Sequence, residues 1–259
     1  MELDLTDKVT IVTGAGRGIG LAICEVFVAE GATVVANTRS QSPALDALKD
    51  RGLAAVVLGD MLDPGTPDAL VAAADGRVDV LVNNAGIAPA RPDGFLQISD
   101  EDWQHTFDLD LFAAIRMTRA VLPTMLSAGD GAVVNIGSLN ARLADPMVLD
   151  YSAAKSALAS VTKSLSKAYG RSGIRFNSVD PGPVDTDLWN GEHGVAHTLS
   201  QAGAGQPHEV TAQAAAAMAT GRFSTPAEVA ALVATLASPR FANVTGASFV
   251  IDGGMMPAL

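Results

Sequence analysis

Cysteine is almost missing from this chain: one residue, Cys24, among 259. A single thiol excludes an internal disulfide. Its setting, LAICEVFVAE, reads as the apolar face of a helix, so the thiol is a small buried hydrophobe. Aromatics are scarce too, at 5% against 48% hydrophobic residues overall. The core must therefore be built from Ala, Val, Leu and Ile. Charged residues make up only 17%, too few for a disordered chain. Basic charge is in deficit, with 17 Lys and Arg against 28 Asp and Glu and a net charge of −11. That argues against nucleic acid as a partner, because phosphate binding wants a basic face. One anion can still be held locally, by a helix N-terminus and one or two arginines. No window approaches the ~20 apolar residues of a membrane span. MELDLTDKVT has no basic leader region and no long apolar run. The expectation is a cytoplasmic protein with no membrane partner.

What is present is an alternation of short apolar runs and helical stretches. Strands are expected at 8–14, 32–37, 53–60, 78–86, 131–138, 173–180 and 247–252. Helices are expected at 18–31, 42–52, 66–74, 99–126, 151–170 and 226–237. Ser42 and Pro43 mark one helix start, and Ser99 with Asp102 has the form of a capping box. The strands are continuous apolar runs rather than alternating ones, so both faces are covered. That predicts an α/β fold: a Rossmann-like, doubly wound, seven-stranded parallel sheet with helices on both faces. With no repeat, linker or break in composition, residues 1–259 form one domain. A Gly- and Ala-rich segment at about 185–222 follows strand six. It falls on the carboxyl side of the sheet, where ligands bind, and reads as a substrate lid.

TGAGRGIG (13–20) joins the first strand to the first helix. The common dinucleotide fingerprint needs glycine at position 19, which is Ile. The spacing here is Gly14, Gly18, Gly20. Gly14 turns the strand, Gly18 lets backbone approach a pyrophosphate, and Gly20 lets the helix pack on the sheet. The second strand ends in ANTRS. No carboxylate stands there to hold a ribose hydroxyl and repel a 2′-phosphate. Thr38 is followed by Arg39, which can bond a phosphate bidentately, and Arg17 adds a second cation. NADP(H) is favoured, with NAD(H) the alternative.

Only two tyrosines are present, and one opens YSAAK (151–155). Positions i and i+4 share a helix face. An ammonium beside a phenol favours the phenolate, so Lys155 is expected to pull the Tyr151 pKa down from near ~10. Tyr151 then suits proton transfer. Ser138 closes strand five, and a crossover could bring its hydroxyl beside Tyr151.

In this ordered set the chain resembles a short-chain dehydrogenase/reductase of the single-domain type, over nearly its whole length. The carriers are TGAGRGIG, NNAG (83–86), Ser138, YSAAK, DPGPVDT (180–186) and VTGASFVIDGG (244–254). The resemblance implies hydride transfer between a nicotinamide and a carbonyl or alcohol carbon. It makes Tyr151 the general acid/base, Lys155 its tuner and a ribose ligand, and Ser138 the group that polarises the carbonyl. It puts Asp60 and Met61 at the adenine, Asn84 near a ribose, and Pro181, Gly182, Val184 and Thr186 at the carboxamide. Gly14, Arg17, Gly18, Ile19, Gly20, Thr38, Arg39, Tyr151 and Lys155 complete the cofactor set. It also implies a homotetramer, for which Ser152, Ala153, Ala154, Ser156 and Ala157 offer a close-packing helix face. One position departs from the family: Asp110 stands where an asparagine is usual. Asp110 is carried as a fourth catalytic residue, able to pair with Lys155 and alter the pH profile.

The four histidines, His105, His193, His197 and His208, show no metal spacing. The substrate pocket is expected from 88–96, 139–149 and 183–200. Leu139, Leu143, Met147, Val148, Leu149 and Trp189 there stand beside Asn140, Arg142, Asp145 and Asp187. That favours a mostly apolar, medium-sized ketone or secondary alcohol with a polar handle. The leading reading is a carbonyl reductase. The alternatives are an NAD-linked alcohol dehydrogenase and a non-catalytic nucleotide sensor.

Overall fold

A computed structural model describes residues 2–192 and 194–257. The chain runs β1 (Val9–Val12), α1 (Gly18–Ala29), β2 (Thr33–Thr38), α2 (Pro43–Asp46), β3 (Leu53–Leu58), α3 (Thr66–Ala73) and β4 (Val80–Asn83). It continues through α4 (Asp100–Phe107), α5 (Ala113–Ala128), β5 (Gly131–Ile136), α6 (Leu149–Tyr169) and β6 (Ile174–Pro181). Then come α7 (Asp187–Asn190), α8 (Val195–Gln201), α9 (Pro207–Ala216), α10 (Pro226–Ala237) and β7 (Ser248–Ile251). The seven strands form one parallel sheet in the order β3-β2-β1-β4-β5-β6-β7. The order reverses between β1 and β4, which opens a crevice at the strands' carboxyl ends.

Strand periodicity of two feeds two cores. Val12, Val34, Ala36, Val82 and Val134 face α1 and α10, where Phe27, Ile23, Val229 and Val233 meet them. Ile11, Val35, Leu81, Val133 and Phe176 face the other way, against Leu70 of α3 and Met117, Val121 and Met125 of α5. Every named strand residue is under a tenth exposed, as runs covered on both faces require. Cys24 lies in the first core, and burial pushes its thiol up to about 12, so it is inert.

Asparagines anchor the sheet's centre. Asn83 of β4 donates to Asn135 Oδ1 of β5 at 2.8 Å, and Asn135 donates to Thr162 of α6, also at 2.8 Å. Asn83 also donates to Thr118 of α5 at 3.2 Å. Buried polar groups need partners, and these tie two helices to the edge of the crevice.

Two expected helices differ. The one at 42–52 is a single turn at Pro43–Asp46, capped by Ser42, followed by a separate 3₁₀ turn at Lys49–Arg51. The long one begins as expected with the Ser99–Asp102 capping box. It is interrupted at Asp108–Phe112 by a π turn before resuming as α5. The segment read as a lid carries α8 and α9, and the alanine-rich sequence of α9 shows little apolar periodicity.

Candidate active site

Three elements meet at the crevice. Ser138 follows the end of β5, Tyr151 and Lys155 lie on the first turns of α6, and Asp110 sits inside the π turn. Such turns shift a side chain out of helical register and recur at functional sites. Here the turn aims Asp110 at Lys155: Oδ1 stands 3.1 Å from Nζ, with both side chains buried. Oδ1 has no aligned hydrogen bond, so the contact is one of charge. Oδ2 accepts from the Ile87 backbone N–H at 3.3 Å. Gly86 makes room, since a Cβ there would stand 2.5 Å from Asp110 Oδ1. Lys155 Nζ also donates to the Ile136 carbonyl at 3.0 Å and lies 5.5 Å from the centroid of the Tyr151 ring. Ser138 faces the same groove as the Tyr151 phenol. Its Oγ donates to Asn140 Oδ1 at 3.2 Å and accepts from the Asn140 backbone N–H at 3.1 Å.

The charges correct one expectation. Burial is the largest influence on Tyr151 and pushes the phenol above its ordinary value. Lys155 and the nearby Ser138 hydroxyl pull down, but the Asp110 carboxylate pushes up and cancels part of the lysine's effect. With the protein's own groups alone, the Tyr151 pKa is therefore raised rather than lowered. For Lys155, burial works against the ammonium, yet Asp110 and Tyr151 overcome it and raise its pKa. Burial likewise raises the Asp110 carboxyl, against the pull of Lys155.

One cavity of about 990 Å³ runs along the crevice. Gly14, Arg17, Gly18, Ile19, Gly20, Thr38, Arg39, Asp60, Met61 and Asn84 line one end. Asp110, Ser138, Tyr151, Lys155, Pro181, Gly182, Val184 and Thr186 line the other, so all the expected site residues meet in a single groove. A dinucleotide fits the glycine end. Gly14 and Gly18 adopt φ of 64° and 56°, open to glycine at little cost. A Cβ on Gly20 would stand 2.3 Å from the Gly14 carbonyl, so α1 can start here only on glycine. No side chain caps α1, which leaves its first N–H groups for an anion.

Several side chains have partners that the spacing did not suggest. Asn37, near the end of β2, donates to the carbonyls of Val57 and Gly59 and accepts from Gly14 N. Asn84 Nδ2 donates to the Thr13 and Gly14 carbonyls, so it braces the glycine loop. Arg17 reaches across the groove to Asp187 at 3.3 Å, while Arg39 is exposed at the β2 end.

Toward the substrate end, Leu139, Leu143, Met147, Val148 and Trp189 line the cavity beside Asn140, Asp145 and Asp187. Leu149 and Arg142 do not, and of 88–96 only Ala88 does. Arg91, in that loop, is committed instead to Asp102 and Asp150. Ala214 of α9, within the segment read as a lid, also reaches the cavity, as does Met255, which the expected lining did not include. The sequence reading missed the Ile136 carbonyl, a backbone group with no signal in residue type. No group of three or more His, Cys, Asp or Glu among the described residues could hold a metal ion. His193 lies outside them.

A family model described as enoyl-(acyl carrier protein) reductase matches residues 14–256. The oxidoreductase UcpA of Escherichia coli (strain K12) is 36% identical over 259 residues, covering 96% of this chain and 95% of that protein. The chain belongs to the short-chain dehydrogenase/reductase family. D-threitol dehydrogenase of Mycolicibacterium smegmatis is 36% identical, covering 98% of this chain and 94% of that protein. The structure of L-sorbose reductase from Gluconobacter frateurii, complexed with NADPH and L-sorbose, superposes with a TM-score of 0.90 at 30% identity over the whole of both chains. As a short-chain dehydrogenase/reductase, this protein is an NAD(P)-dependent oxidoreductase, and its seven-stranded sheet is the family's Rossmann-like fold. No helix among the described residues is long and apolar enough to cross a membrane.

Proposed function

We propose that the protein is an NADP(H)-dependent reductase of ketones, running in reverse on secondary alcohols. The observation that carries this reading is the convergence of Ser138, Tyr151 and Lys155 on one groove with the glycine cradle. When bound, the nicotinamide gives or takes a hydride. The chain's own residues do the rest. Ser138 and Tyr151 hold the substrate oxygen, and Tyr151 donates a proton to it during reduction or removes one during oxidation. Lys155 holds its charge beside the ring and supports the phenolate left behind. Asp110 pairs with Lys155 and takes the place of the relay asparagine.

Cofactor choice rests on charge. Arg39, with Thr38 before it, would hold the 2′-phosphate, and Asn37 leaves no carboxylate at that strand end to repel it. Asp60 and Met61 would face the adenine, and Pro181 to Thr186 the carboxamide. The NADPH complex of L-sorbose reductase supports the reading.

The substrate is read as a medium-sized ketone with a polar handle, because Leu139, Leu143, Met147 and Trp189 form an apolar wall beside Asn140 and Asp145. A polyol or ketose is the second reading, favoured by the polar side chains of Asn140 and Asp145 and by relatives named for threitol and sorbose. The segment at 185–222 would act as the lid, and a cytoplasmic homotetramer is the proposed assembly. Exposed Phe112 and Leu126 on the α5 side support an interface there.

The test is NADPH and NADH oxidation across alicyclic ketones, aryl ketones and ketoses. Turnover of the plain ketones with a lower KM for NADPH supports the leading reading. Turnover of ketoses alone supports the second. A lower KM for NADH overturns the cofactor assignment.

A further inference from the structure

Next to Tyr151 in sequence lies Asp150, whose side chain is wholly buried. A buried carboxylate needs dedicated partners, and this one has them. Arg91 Nη2 and Nε donate to Asp150 Oδ2 at 2.5 and 3.2 Å. Thr106 Oγ1, buried in α4, donates to the same oxygen at 2.8 Å. Arg91 extends the grip: Nη1 reaches Asp102 Oδ1 at 2.9 Å, and its backbone N–H donates to the Met147 carbonyl at 2.7 Å. Three segments therefore close on the first turn of α6. They are the loop after β4, the helix α4 and the 3₁₀ turn at Pro146–Val148 that leads into α6.

None of these groups lines the reaction groove except Met147. The site reading gives Arg91 and Asp150 no part, yet they form the most buried ion pair besides Lys155–Asp110. A bidentate guanidinium fixes direction as well as distance. The carboxylate it holds is one residue from the phenol, on the same helical turn.

We propose that Asp150, gripped by Arg91 and Thr106, is a positioning residue that fixes the first turn of α6 so that the Tyr151 hydroxyl stands ready for proton transfer. The proposal rests on the reading of Tyr151 given above. Misplacement of a reacting group by about an ångström is costly in rate, whereas most of the residues that would hold the cofactor, from Gly14 to Gly20 with Thr38 and Arg39, lie on other elements.

Thr106→Val keeps shape and removes one hydrogen bond, and Arg91→Lys keeps charge and removes the fork. Val233→Ala, in the distant α1–α10 core, serves as a stability control. Both grip variants should lower kcat about tenfold while the NADPH Kd stays within about twofold. Val233→Ala should lower Tm with kcat within about twofold of the parent. A second readout needs no turnover. The chain has two tyrosines, Tyr151 and Tyr169, so fluorotyrosine labelling gives two fluorine NMR resonances, assigned by Tyr151→Phe. In Thr106→Val the Tyr151 resonance should shift or broaden and that of Tyr169 should not. A kcat loss no larger than in a control of equal Tm loss, or an unmoved Tyr151 resonance, overturns the proposal. Failure of the parent protein to reduce any carbonyl would sink the functional reading instead, and the resonance would still decide the grip.

Discussion

Asp110 Oδ1 stands 3.1 Å from Lys155 Nζ, and the pair is shut away from solvent. An amide at position 110 would leave the lysine's charge free to act on the Tyr151 phenol. A carboxylate opposes it. The pair is thus a setting for the proton-transfer group, delivered by a π turn from one side and a helix from the other.

Asp110→Asn tests that setting. Asp110 pushes the Tyr151 phenol up, so its removal lets the phenol fall. Reduction requires the protonated phenol, and its rate declines as pH rises through the phenol's pKa. The alkaline limb of kcat/KM for reduction should therefore move to lower pH in the variant. An unmoved limb would mean that Asp110 does not govern Tyr151. Asp110→Ala, which strands a buried ammonium, should cost roughly 3–5 kcal/mol of stability by chemical denaturation.

Alkaline pH should destabilise the protein through the same groups. Tyr151 and Lys155 both have raised pKa values in the folded chain, so above the ordinary phenol value of 10.0 the folded state holds more protons than the unfolded one. Their contribution to stability is complete below their unfolded values and is lost as pH rises through the folded ones. Tm should fall over that range, and less steeply in Tyr151→Phe. Equal slopes in the two proteins would contradict the raised phenol.

Arg39→Ala should discriminate between the cofactors. Losing a charge-assisted contact to a 2′-phosphate is worth about 1.5–3 kcal/mol, or roughly 10- to 100-fold in affinity. Binding titrations should show the NADPH Kd rising by that factor with the NADH Kd nearly unchanged. Equal losses for both would assign Arg39 to something other than the phosphate.

Gly20→Ala should disable the cradle. The added methyl would meet the Gly14 carbonyl at 2.3 Å and Asn84 Nδ2 at 2.5 Å, both fixed by their own bonds. Overpacking of this kind costs about 1–3 kcal/mol. A drop in Tm together with weakened binding of both cofactors is expected, and wild-type affinity would show that the loop is looser than it looks.

The sheet and the groove were legible because their signals are local. Apolar runs such as VLVN and GAVVNI are short, rich in valine and bounded by turn residues, as doubly covered strands are, and TGAGRGIG sits on a strand-to-helix turn. The sign of the Tyr151 shift was not legible. YSAAK displays the lysine four residues away, and the departure at Asp110 offered a carboxylate to pair with it, but the depth of burial, the largest influence on the phenol, is set by the whole fold. The π turn was hidden for a related reason: DLDLF fits a helix by propensity, and only packing against α6 shifts its register. Arg91 looked like pocket lining by position, yet two carboxylates, one of them far away in sequence, draw it into the protein. Met255 reached the groove from a terminal segment that carries no pattern.

The most direct test of the account is turnover by Tyr151→Phe with NADPH and the best ketone of the panel. Loss of kcat by roughly 10²–10⁴-fold, with the NADPH Kd unchanged, is the predicted result. A variant that reduces the ketone at near the parental rate would show that the proton comes from elsewhere and would contradict the central role given to this phenol.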